Sequence, residues 1–165
     1  MSPSLPDAEA TRALGVRLSQ MLRAGDLVLV VGELGAGKTT LVQGIGAGLQ
    51  VEGTITSPTF IIARAHRASA GRPPLVHVDA YRLSSLAELD DLDLDETVDD
   101  AVTAVEWGEG LAEVLAESYL VVALDRERGG EEGDGGGRRV SIRGVGPRWE
   151  GMDLEGVLSQ SADRP

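Results

Sequence analysis

Hydrophobic positions near the start of the chain recur at a helical period. Thr11, Leu14, Leu18, Met21 and Leu22 stand three and four residues apart, which predicts an amphipathic helix over about Asp7 to Ala24. Pro6 and Asp7 suit its first turn. Gly25-Asp26 breaks the pattern, and LVLVV at 27–31 follows as a continuous apolar, β-branched run. Such a run reads as a strand covered on both faces, hence central in a sheet. The period changes again in GELGAGKTTLVQGIGAGL, where Leu41, Ile45 and Leu49 are four apart, so a glycine-rich turn leads from that strand into a second helix.

Shorter apolar runs predict strands at Thr59–Ala63, Leu75–Val78, Val102–Glu106, Tyr119–Leu124 and Val140–Arg143, with short helices at Ser84–Leu89 and Gly110–Ala116. No helical pattern lies between Thr59 and Val78, so not every pair of neighbouring strands can be joined by a parallel crossover. The expectation is a single α/β domain, with a mixed β-sheet flanked by helices. Residues 129–137, GGEEGDGGG, have six glycines and no apolar side chain, which predicts a flexible hairpin or loop. Residues 1–147 are taken as the domain and 148–165 as a polar tail with a short helix around Leu154–Leu158.

Composition narrows the partners more than the fold. The 165 residues are 42% hydrophobic and 25% charged, proportions of an ordinary folded domain with a core. The net charge of −12 opposes an unaided grip on a nucleic-acid backbone or an anionic membrane, which draws on clustered Lys and Arg. Cysteine is absent, so disulfides, thiolate metal sites and thiol nucleophiles are excluded. No stretch approaches the roughly 18 apolar residues of a membrane span, and the first residues lack a basic segment followed by an apolar run. The expectation is a cytoplasmic protein. Basic charge is carried by fourteen Arg and a single Lys, Lys38, and Asn is absent.

Gly32, Gly37, Lys38 and Thr39 satisfy G-x-x-x-x-G-K-[ST], in the strand-then-helix context that the motif requires. Glycines at such positions let backbone N–H groups turn inward and form a nest for a β-phosphate at the positive end of the following helix. Lys38 adds a charge able to bridge β- and γ-phosphate oxygens. The Thr39 hydroxyl offers a hard oxygen to Mg²⁺, and Thr40 supports the α-phosphate.

A Mg-nucleotide site also needs carboxylates at the carboxyl ends of nearby strands, and the chain offers Asp79 after LVHV and Glu106 closing VTAVE. One can hold Mg²⁺ through water while the other polarises the attacking water; residue types do not say which. Either acid could instead pair with an arginine such as Arg82. SPTF at 57–60 lies about twenty residues after Lys38, where Ser57 or Thr59 could sense a γ-phosphate, or Pro58 could simply turn the chain into a strand. His77 alternates along an apolar strand and His66 sits among Arg64 and Arg67, too few ligands for zinc. Trp107 reads as a packed residue ahead of a stacking platform. The acidic run from Glu88 to Asp100 reads as a solvated face ahead of a docking surface.

GELGAGKTT, TSPTF, HVDAYRL at 77–83 and EWGEGL at 106–111, in that order, give the chain a resemblance to the TsaE (YjeE) family, small bacterial P-loop ATPases of tRNA threonylcarbamoyladenosine synthesis. The resemblance covers about Leu14 to Leu124. It implies a P-loop NTPase-like fold and a nucleotide cradle formed by Glu33, Leu34, Gly35, Ala36, Gly37, Lys38, Thr39 and Thr40. It also implies a switch-like segment at Thr56–Phe60 including Thr59, metal-site or catalytic roles for Asp79 and Glu106, and a nucleotide-side role for Trp107. The implied cofactors are ATP and Mg²⁺. The implied partner is a TsaB–TsaD type heterodimer that carries the transferase chemistry, with tRNA met only through those partners and no membrane contact. Residues 129–137 and the tail after Pro147 match nothing assignable.

Two rival readings share the phosphate loop. A small-molecule or nucleoside kinase would transfer the γ-phosphate to a hydroxyl under an arginine-bearing lid, for which Arg126, Arg128, Arg138 and Arg139 are candidates. A non-catalytic scaffold would use nucleotide only to order an interface. A GTPase is disfavoured, since a chain with no Asn and its only Lys in the phosphate loop cannot contain Asn-Lys-x-Asp.

Overall fold

The computed structural model describes residues 3–56, 63–69, 71–81, 87–88, 91, 93–94, 97–107, 110, 112–127 and 137–159. Its centre is the strand β2 (Leu27–Gly32), which carries the continuous apolar run. Preceding it are a two-residue strand β1 (Ser4–Leu5) and the helix α1 (Ala8–Ser19). The helix α2 (Lys38–Leu49) follows, then β3 (Ala63–His66), β4 (Leu75–Asp79) and β5 (Val102–Glu106). A 3-10 turn over Ala112–Leu115 leads to β6 (Tyr119–Arg126), β7 (Arg138–Val145) and a final helix α3 (Leu154–Ser159).

The seven strands lie in the order β1-β7-β6-β2-β5-β4-β3. β6, β2, β5 and β4 run parallel, while β3, β7 and β1 pair antiparallel at the two sides. The sheet is therefore mixed, as the missing helix between Thr59 and Val78 requires. Alternation along the strands divides two apolar layers. Val28 and Val30 face the layer that contains α1 and α2, with Leu75, Ala104 and Leu120. Leu27 and Leu29 face the opposite layer, with Val76, Val78 and Val105.

α1 starts where expected, with the Asp7 carboxylate accepting the Ala10 N–H at 2.8 Å as its cap. It ends at Ser19, five residues short of the expected Ala24, because the chain turns toward Gly25 (φ 93°) to enter β2. α1 and α2 meet backbone to backbone: a Cβ on Gly15 would overlap the Leu41 carbonyl, and one on Gly44 would overlap the Arg12 carbonyl.

Some boundaries differ from expectation. The first of the shorter strands is β3 at Ala63–His66; residues 59–62 of the expected Thr59–Ala63 strand lie outside the described residues, as does most of the expected Ser84–Leu89 helix. His66, expected in a polar loop, is a buried strand residue. β7 begins at Arg138 and ends at Val145, because pairing with β6 continues at both ends of the apolar run. Residues 128–136 of the glycine-rich stretch lie outside the described residues.

The stretch expected as a polar tail contains the short helix and also two anchors. Trp149 is buried, and Leu154, Val157 and Leu158 pack against the α1–α2 layer. The Arg148 guanidinium donates from Nε to Asp26 Oδ1 and from Nη2 to Asp26 Oδ2, both at 3.0 Å, and to the Met21 carbonyl at 2.7 Å. Among the described residues no helix is long and apolar enough to cross a membrane.

Candidate functional site

The carboxyl ends of β2, β4 and β5 converge on one cavity of about 450 Å³, and the loop between β2 and α2 forms its floor. This is the crevice where open parallel sheets present their loops. In that loop Gly35 and Gly37 adopt left-handed φ values of 76° and 101°, which a glycine takes at little steric cost. Gly37 caps α2, and among the described residues no side chain hydrogen-bonds at that cap, at the positive end of the helix facing the cavity.

Lys38 is the first residue of α2 and only 6% exposed. Its Nζ donates to the Gly32 carbonyl at 2.8 Å and the Glu33 carbonyl at 2.9 Å, and lies 3.9 Å from the centroid of the Trp107 ring. Burial depresses its pKa below the ordinary lysine value, and the nearby Glu106 and Asp79 carboxylates act in the opposite direction.

Thr39 Oγ1 donates to Glu106 Oε1 at 3.0 Å, with Oε2 at 3.3 Å. The hydroxyl proton is thus committed to the carboxylate, which leaves the oxygen's lone pairs available to a hard cation. Glu106 is buried at the end of β5, and its Oε2 also accepts from His77 Nε2 at 2.6 Å. Asp79 stands opposite Glu106 in the β4–β5 register and accepts the Tyr81 N–H at 3.0 Å through Oδ1.

Trp107 takes a left-handed φ of 60°, uncommon for a bulky residue, which turns its ring back over Lys38. Tyr81 meets that ring edge-on, at 5.0 Å between centroids. Trp107 is therefore half-buried at the cavity wall and not a core residue. Leu34 in the loop and Tyr81 on the rim are exposed. Arg138, at the start of β7, is buried against the loop and donates from Nε to the Ala36 carbonyl at 3.1 Å.

The structure brings together, at or beside this cavity, Leu34, Gly35, Ala36, Gly37, Lys38, Thr39, Thr40, Asp79, Glu106 and Trp107, with Glu33 on the same loop. Ser57 and Thr59, and with them the switch-like segment after Thr56, lie outside the described residues, as do Arg82, Gly108 and Arg128. Two neighbours were not singled out for this site by sequence reasoning. His77 was visible as the partner of Asp79 at spacing two, which puts both on one face of a strand. Arg138 was named only as one of four candidate lid arginines of the kinase reading; its contact with the loop spans about a hundred residues of chain, which no local pattern reveals.

The residues present fit a magnesium-bound nucleoside triphosphate. One hydroxyl and one carboxylate are few oxygens for a cation alone, and the number that phosphate-bound Mg²⁺ commonly takes from protein. Among the described residues no three His, Asp or Glu side chains gather as a separate cation cage.

Residues 5–134 match the family model described as threonylcarbamoyl adenosine biosynthesis protein TsaE. The chain is 54% identical to a Streptomyces coelicolor protein named tRNA threonylcarbamoyladenosine biosynthesis protein TsaE, over 87% of this chain and 96% of that one. It is 54% identical to the protein of that name from Mycobacterium tuberculosis strain H37Rv, over 74% and 77% of the two chains. Among solved structures, Bacillus subtilis YdiB superposes with a TM-score of 0.67 at 27% identity, covering 91% of this chain and 88% of the other.

Proposed function

Because the chain belongs to the TsaE family of threonylcarbamoyladenosine biosynthesis proteins, we propose that it binds Mg-ATP in the β2–α2 loop and hydrolyses it while engaged with a transferase complex of the TsaB–TsaD type. The observation that carries this reading is the Thr39–Glu106 hydrogen bond at the mouth of a glycine-lined cradle that also holds the chain's only lysine.

Each residue then has a task. Backbone N–H groups from Gly35 to Thr39 cradle the phosphates at the uncapped end of α2. Lys38 exchanges a carbonyl or ring contact for phosphate oxygens, and Thr40 supports the α-phosphate. Thr39, with its proton on Glu106, offers its oxygen to Mg²⁺, and Glu106 sits where it can hold that cation directly or through water. This leaves Asp79, two residues from His77 and opposite Glu106, to orient and polarise the attacking water. Magnesium, when bound, supplies charge neutralisation across the phosphates. Thr59, if it follows the family pattern, reports the γ-phosphate.

Adenine is favoured over guanine because the chain lacks Asn altogether. With a net charge of −12, tRNA is gripped by the partners and not by this chain, and hydrolysis resets the assembly in the cytoplasm.

Trp107 gives the test an internal reporter, because the only other tryptophan, Trp149, is buried away from the cavity. Mg-ATP is expected to change Trp107 fluorescence as Lys38 leaves its ring, and phosphate release is expected to rise when the partner heterodimer is added. A wild-type chain that takes up no adenine nucleotide, alone or with partners, defeats the proposal. A phosphorylated nucleoside formed without partners would replace it with a kinase.

A further inference from the structure

We infer that His77 is a positioning residue for Glu106: its imidazole, buried on the face of the sheet, holds one carboxylate oxygen so that the other is presented to Thr39 and the nucleotide cavity. The inference deepens the Mg-ATP reading and rests on it.

Leu75, His77 and Asp79 share the face of β4 that points toward the α1–α2 layer, as alternation along a strand demands. The register pairs His77 with Ala104, so Glu106 is its diagonal neighbour on the same face. Ala104 carries a single methyl group, which leaves room for the imidazole to lie across it. The result is the 2.6 Å contact in which Nε2–H donates to Glu106 Oε2, with His77 0% exposed.

Packing alone does not account for this ring. His77 Nδ1 is buried with no hydrogen-bond partner among the described residues, a cost that an apolar ring of similar size would not carry. The bond to Glu106 is what an imidazole adds. The terminal torsion of a glutamate is broad, so its carboxylate plane is set by its partners and not by its own rotamer preference. Among the described residues, two side chains hydrogen-bond the Glu106 carboxylate. Thr39 is a rotatable hydroxyl at the cavity, whereas His77 is fully buried on the sheet face toward the α1–α2 layer and cannot follow a moving ligand. A carboxylate aimed at a cation site from a fixed second partner is the arrangement that tunes metal sites generally.

The test uses the full chain with His77→Gln, which keeps an N–H donor near the Nε2 position, and His77→Phe, which keeps the ring and loses the donor. Thermal melting, ADP binding in EDTA, ADP binding with Mg²⁺, and ATP turnover with the partner heterodimer are measured for both. His77→Phe is expected to bind ADP in EDTA like the wild type. It should lose about 10- to 100-fold in the affinity gained from Mg²⁺ and in turnover at saturating ATP. His77→Gln is expected to recover most of both. Where His77→Phe does not fold, His77→Met takes its place under the same criterion.

A folded donor-less variant with wild-type magnesium dependence and turnover overturns the inference, and so does His77→Gln failing as deeply as His77→Phe. Failure of the wild type itself to bind Mg-nucleotide defeats the parent reading; wild-type binding that is indifferent to His77 defeats this inference alone.

Discussion

Lys38 is held by the protein itself before any phosphate arrives: two carbonyls of its own loop and the face of Trp107 take its ammonium. Replacing it with Ala should weaken ADP binding on the order of 100-fold, as expected for a buried charge-assisted contact, while the melting temperature changes little; calorimetry and thermal melting check both. The sign of the pH dependence follows from the same burial. Desolvation lowers the Lys38 pKa, so the ammonium is lost at a lower pH than an ordinary lysine would lose it, and nucleotide affinity should decline as pH rises through that lowered value. A polyphosphate favours the charged form. Binding at alkaline pH should therefore take up protons, visible as an enthalpy that depends on the buffer's own ionisation heat. Affinity independent of pH throughout the alkaline range would contradict this account. At this scale the sequence was informative, because the loop motif names its residues by type and spacing. It said nothing of the Trp107 backbone, whose φ is positive, or of Tyr81 and Lys38 meeting its ring.

Between elements, the consequential contact is that of α1 with α2. The apolar period predicted both helices, but it did not predict that glycines would let their backbones touch, since glycine contributes nothing to hydrophobic periodicity. Gly44 has no space for a methyl group beside the Arg12 carbonyl. Gly44→Ala should therefore cost about 1–3 kcal/mol through forced separation of the helices, despite alanine's better helix propensity. Urea unfolding measures the loss, and a neutral or stabilising result would show that the two helices can slide apart without penalty. Because α2 begins at Lys38, the same variant should also weaken nucleotide binding. The extent of β3 beyond Ala63 was not foreseen for a related reason: Ala63, Arg64, Ala65 and His66 alternate without large apolar side chains, and only pairing with β4 identifies them as a strand.

For the whole molecule, residues 148–159 pack onto the folded unit. Asp26 lies at the entrance to β2, 4% exposed, and Arg148 is its ion-pair partner. Arg148→Ala leaves that carboxylate buried and unpaired, and should cost about 3 kcal/mol, in the range for breaking a buried pair. Truncation after Pro147 also removes Trp149 and the apolar face of α3, and should cost more than Arg148→Ala. Denaturant titration of the two variants gives the comparison, and equal stability of the truncated and full chains would return these residues to the status of a tail. Composition did not show this because 148–165 is polar on average, while Trp149, Leu154, Val157 and Leu158 are the residues that dock.

The sequence by itself determined the central strand, the phosphate loop with its uncapped helix and the two strand-end acids. These are local features, set by residue type, period and spacing over a few residues. Strand order, the antiparallel edges, the meeting of Arg138 with the loop and the reach of His77 across Ala104 to Glu106 were decided only in the tertiary structure. Each of those joins residues from separate elements, and a contact between distant segments depends on which apolar faces find each other when the chain closes.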